Sequence, residues 1–124
     1  DLVAALDRRQ MAGNVVVHGG LEYLRGLQRL RPDIRVMPES VSLAVVETII
    51  ADLKPRVIAF SRHDWQDDII QAARRAGAGI FVDRLGPDDT PPSWQDAIDR
   101  GATGIQTDRV AELIAYLRAR GLHK

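Results

Sequence analysis

Cysteine is absent from the 124 residues, which excludes disulfides and any thiolate-bound zinc or iron-sulfur centre, though not a secreted location, since exported proteins can also lack it. Charge of one sign is missing too. Seventeen basic residues balance seventeen acidic ones, so no basic field points to nucleic acid. No apolar run reaches the roughly 18 to 20 residues needed to cross a bilayer, and the start has no signal-peptide character. Histidines number only three, with no H-x-H or H-x-x-x-H spacing, which disfavours a histidine-rich metal site. There is no P-loop and no G-x-G-x-x-G, and Gly19-Gly20 alone is too short to cradle a phosphate. Six prolines and ten glycines suit many turns rather than disorder. The expectation is one globular α/β domain over residues 1–124, placed in the cytoplasm.

What is present is a repeat of short β-rich runs that end in polar residues: Asn14 to His18, Ile34 to Glu39, Arg56 to Ser61, Gly79 to Asp83 and Gly101 to Asp108. Their starts recur about every 19 to 25 residues, the length of a strand, a helix and two tight loops. Between them the apolar residues take helical spacing, as in Leu21, Leu24, Leu27 and Leu30, then Leu43, Val46, Ile50 and Leu53, then Trp65, Ile69, Ile70 and Ala73. A further helical fragment, Leu2, Val3 and Leu6, stands at the start. Near-continuous apolar strands such as Val57-Ile-Ala-Phe60 are expected where helices cover a parallel sheet. Helices should stop near Gly13, Pro32, Pro55, Gly77, Gly101 and Gly121, and Ser93 reads as the N-cap of a short helix carrying Trp94, Ala97 and Ile98.

The pattern reads as α(βα)5. An eight-unit barrel takes about 250 residues, so the chain is expected to be the C-terminal part of a (β/α)8 TIM barrel, with a complete five-stranded, doubly wound open sheet as the alternative. Left open, the first and last strands would be bare edges that invite pairing.

In either architecture, ligands bind at the carboxyl ends of the strands. That rule selects His18, Glu39, Arg62, His63, Asp64, Asp83, Arg84 and Asp108. Glu39 can hydrogen-bond substrate hydroxyls, ligate a hard cation or orient its water; equally, it suits the N-terminus of a helix beginning near Ser40. Asp108 has the ordinary alternative of capping the last helix through the amides of residues 110 and 111. Arg84 can fork onto a phosphate or form a surface salt bridge. His18 and His63 can act as acid, base or ligand, or simply line a loop. Trp65 and Trp94 read as packing residues, and Asp67, Asp68, Asp88, Asp89 and Asp96 as solvated faces and loop.

The block Ala102-Thr-Gly-Ile-Gln-Thr-Asp108 resembles the G-[VA]-D-G-I-x-T-D block of the glycerophosphodiester phosphodiesterase family. Before it, Ala72 to Gly77 and Ile80-Phe-Val-Asp83 stand where that family has A-x-x-x-G-x-x-V and the strand ending in W-T-V-N. Val15-Val-Val-His-Gly-Gly-Leu21 resembles its V-V-x-S-F-D-x-x-x-L region. The chain departs from the pattern at Ile80 (Trp), Asp83 (Asn), His18-Gly19-Gly20 (Ser-Phe-Asp) and Thr103 (Asp). The resemblance implies strands four to eight of the barrel and, for the intact protein, hydrolysis of a glycerophosphodiester to an alcohol and glycerol 3-phosphate with a divalent cation, Mg or Ca. The family's His-Arg-Gly, Glu-x-Asp and Glu-Ile-Lys motifs do not occur in these residues. The chain would then supply a substrate-side wall, with His18, Glu39, His63, Asp83, Arg84 and Asp108 as substrate contacts and neither catalytic residues nor a metal site of its own. Its partners would be the substrate and either the missing barrel half or a second copy. The competing expectation is a non-catalytic, self-associating βα binding module.

Overall fold

A computed structural model describes all residues, 1 to 124. Helix α1 (Leu2–Arg8) leads through a 3-10 turn (Ala12–Asn14) into five strand-helix units. These are β1 (Val16–Gly19) with α2 (Leu21–Leu30), β2 (Arg35–Pro38) with α3 (Leu43–Leu53), and β3 (Val57–Phe60) with α4 (Asp67–Arg75). β4 (Gly79–Asp83) with α5 (Pro91–Asp99) and β5 (Gly104–Gln106) with α6 (Val110–Arg118) complete the chain.

All strand pairs are parallel, in two sheets, β1-β2 and β3-β4-β5. A single bridge from Glu39 to Ala59 links them at their carboxyl ends, supported by the Ser40 N–H donating to the Ala59 carbonyl at 2.9 Å. The spatial order therefore follows the chain order. A doubly wound sheet needs an order reversal to put helices on both faces; here none occurs, and α2 packs on α3 and α3 on α4 along one side. The architecture is a partial TIM barrel with its sheet left open, which settles the choice between the two expected folds.

Alternation along the strands sorts the two faces. Val36, Ile58, Phe60, Ile80 and Val82 are buried against the helices, and full burial of such a side chain is worth about 2 kcal/mol. Ile58, Phe60, Ile80 and Val82 join Val46 and Ile49 of α3 and Ile69, Ile70 and Ala73 of α4 in the larger core cluster, whereas Val36 packs with the residues of a second cluster. This smaller one also holds Leu6, Leu24, Leu27, Ile34 and Leu53, which is how α1 and α2 are attached. The opposite residues, including His18, Met37, Ala59, Phe81, Asp83 and Gln106, form the concave face and stay at least partly exposed. Gly104 makes room there: a Cβ on it would stand 2.7 Å from Phe81 Cδ2.

Several local expectations are corrected. β1 begins at Val16, because the Asn14 N–H folds back onto the Met11 carbonyl at 2.8 Å. α5 begins at Pro91 with Thr90 as its N-cap; proline suits the first helical position, where its missing N–H costs nothing. Ser93 is therefore inside the helix, where its Oγ meets Thr90 Oγ1 at 3.2 Å. α4 starts after Trp65, and Leu30 at the end of α2 is 74% exposed.

Candidate functional site

Each concave-face strand delivers one polar group to the carboxyl end of the sheet, because residues two apart share a face. Glu39 follows β2 while still bonded to the sheet, its N–H donating to the Gly19 carbonyl at 3.1 Å. α3 starts only at Leu43, capped by Ser42, whose Oγ accepts from the Val45 N–H. Glu39 is thus neither cap nor first-turn acid. Its Oε1 lies 3.6 Å from His18 Nε2, with both side chains about half exposed. Asp83 ends β4 and pairs in register with Gln106 of β5; its Oδ1 accepts the Leu85 N–H at 2.8 Å. No hydrogen bond or ion pair within the chain uses its Oδ2.

These groups line one cavity of about 780 Å³ together with Met37, Val41, Ala59, Phe81 and His63. One wall is polar (His18, Glu39, Asp83, Gln106) and the floor is apolar. No lysine or arginine lines it, so a phosphate placed there would find no cation on this chain. Asp64 lies below the rim as a structural tie, buried, with Oδ1 accepting from the Ser61 N–H at 2.6 Å and Oδ2 from the Val41 N–H at 3.2 Å.

Three other candidates sit elsewhere. Arg84 is buried outside the cavity, its guanidinium 4.8 Å from the Trp65 ring centre and 3.4 Å from Asp96 Oδ2. Arg62, mostly exposed, faces Asp88 at 3.7 Å and shares a separate shallow cleft with Arg84. Asp108 is not the helix cap: α6 is preceded by Arg109 without a side-chain cap, and the Asp108 N–H itself donates to Asp89 Oδ2 at 2.8 Å.

Asp89 corrects the reading of the acidic loop residues as solvated, and Asp96 keeps a half-exposed side chain while also tying a loop. Asp89 is 4% exposed and also accepts from Trp94 Nε1 at 2.8 Å and Thr107 Oγ1 at 2.6 Å. Burial alone pushes its carboxyl up, but the hydrogen bonds from Thr107, Trp94 and the amides of residues 108 and 109 outweigh that and hold it below the usual aspartate range. The loops after β4 and β5 are thereby fastened together. Asp96 does the same for the loop after β3, accepting from Trp65 Nε1 at 2.7 Å and Arg100 Nε at 3.0 Å.

Calcium takes six to eight oxygen ligands, and magnesium six, commonly one or two carboxylates completed by waters and substrate oxygens. No group of three or more His, Asp or Glu side chains converges to hold a metal ion, so the residues present do not fit a metal centre by themselves. Sequence reasoning passed over Met37, Val41, Phe81 and Gln106. Counting back two residues from Glu39 and Asp83 would have found Met37 and Phe81.

An open (β/α) half-barrel with a polar cavity at its strand ends is the class that fold and site define. No family profile matches the sequence, and no curated protein matches it. Solved structures do. The chain is similar to a crystal structure from Galdieria sulphuraria described as a glycerophosphodiester phosphodiesterase, with TM-score 0.78 and 17% identity over 94% of this chain and 49% of that one. Glycerophosphoryl diester phosphodiesterase structures from Silicibacter pomeroyi (TM-score 0.75, 18% identity, 98% and 44% covered) and Parabacteroides distasonis (0.77, 16%, 96% and 46%) are also similar. At these identities the likeness is one of fold, and the chain spans about half the length of the structures it matches. No helix is long and apolar enough to cross a membrane.

Proposed function

We propose that this chain is the later part, strands four to eight, of a phosphodiesterase barrel that hydrolyses a glycerophosphodiester, and that its concave face is the substrate-side wall. The observation that carries the reading is the convergence of two independent signs. The Gly104-Ile-Gln-Thr-Asp108 block resembles one family, and the fold is similar to solved structures described by the same activity. The cavity stands at the carboxyl ends of the strands, where such barrels bind ligands.

In this reading Glu39, Asp83 and Gln106 accept and donate hydrogen bonds to the alcohol side of the substrate, and His18 orients Glu39. Arg84 and Asp108 hold the loops that frame the wall rather than the substrate. The divalent cation and the acid-base groups belong to the part of the barrel outside these residues. The departures from the family pattern fall unevenly. Ile80 is core, and Thr103 Oγ1 accepts the Ile80 N–H at 3.0 Å and donates to the Ile80 carbonyl at 3.1 Å. Both are accommodated structurally. Only Asp83 and His18 alter the cavity, so they bear on which alcohol is taken.

The test is an assay of the intact protein for release of glycerol 3-phosphate from a simple glycerophosphodiester, with and without a chelator. Metal-dependent release supports the reading. Its absence across Mg and Ca, with the protein folded, supports the binding-module reading.

A further inference from the structure

We infer that Val41 determines specificity at the cavity rim, and that the alcohol arm of the substrate carries an alkyl or acyl chain lying against Val41, Met37 and Phe81; this rests on the proposed function for the arm's being part of a phosphodiester. Val41 has φ 56°, a left-handed conformation that is a genuine outlier for a β-branched residue and comfortable for glycine or asparagine. Its backbone is fixed from three directions. The Ser42 N–H turns back to the Ser40 carbonyl at 2.6 Å, the Val41 N–H is held by Asp64, and Ser40 is wholly buried with its N–H on Ala59. Yet the side chain that this strain carries is 61% exposed and lines the cavity.

An exposed valine adds nothing to the core, so folding gives no reason for its strain. Strained backbone concentrates at ligand sites, and apolar groups at the rim of a polar pocket contact ligands. Val41, Met37 and Phe81 offer the apolar side of the cavity, and Glu39 with His18 the polar side. A molecule with a hydroxyl at one end and a short hydrocarbon chain at the other matches both.

The experiment is a titration of the intact protein with 1-hexanoylglycerol, followed by the NMR shifts of Met37, Val41 and Phe81, for the wild type, V41G and V41T, with melting temperatures of all three. The wild type is expected to show saturable shifts at these residues. V41G should bind about tenfold more weakly while melting a few degrees higher, because its strain is relieved. V41T keeps the β-branch and the strain, so its melting point should stay near the wild type while its affinity falls. Unaltered affinity in V41G, no saturation, or shifts confined to a separate groove between β5 and α6, lined by Ile105 and Leu113, would overturn the assignment. Hydrolysis is not read in this titration, so failure of the phosphodiesterase reading and failure of the Val41 assignment are separate results.

Discussion

Single carboxylates carry unequal tasks in this chain, and burial separates them. Asp89 and Asp64 are buried and spend their oxygens on backbone amides and neighbouring side chains; Glu39 and Asp83 keep free oxygens facing the cavity. Removing Asp89 should therefore act on stability. D89A leaves the Trp94 and Thr107 donors unsatisfied, and urea unfolding should show a loss of about 3 kcal/mol. The pH dependence has a definite sign. A carboxyl whose folded pKa lies below its unfolded one stabilises the fold above the ordinary aspartate value, and that contribution disappears as pH falls through the folded value. The stability difference between wild type and D89N, measured by urea unfolding from neutral pH downward, should shrink in the acid range. A difference that grew on acidification would contradict the assigned hydrogen bonds.

Between elements, the β4-β5 contact is set by one glycine. Because a Cβ at Gly104 would meet Phe81, G104A should cost about 2 kcal/mol by overpacking. Most of that cost should vanish in the F81A background, giving a clear coupling energy in a double-mutant cycle; additivity would mean that the ring moves freely. At the start of α3, S42A should cost about 1 kcal/mol in thermal unfolding, by loss of the cap to Val45. These elements were largely legible in the sequence, because strand and helix periods are local and the turn residues punctuate them. The apolar run Gly79 to Asp83 coincides with β4 at both ends. Beyond shifted element ends such as the start of α5, the differences are tertiary. Nothing near Asp89 in the chain announces that Thr107 will stand against it, and Arg84 was drawn to the phosphate role by its place after a strand, although Trp65 and Asp96 hold it on the outer side. Val41 could not be found at all, since a left-handed valine has no signature in composition or period.

The whole chain is an arc whose two end strands have unpaired outer edges, and a barrel abolishes such edges. Hydrogen exchange should therefore be fast at the outer-edge amides of β1 and β5 in the isolated chain and at least about a hundredfold slower in the intact protein, where closure would pair them. Equal exchange in both would leave the open arc as the working form. The same arc sets Glu39 at the junction of the two sheets, bridged to Ala59, beside His18 and in the wall of the cavity. The most direct test is turnover of a glycerophosphodiester by the intact protein against its E39Q variant, with the melting temperature of each. The account predicts a fall in turnover of about tenfold or more, from lost positioning of the substrate, with little change in melting. Undiminished turnover in E39Q would contradict the assignment of this face as the substrate wall.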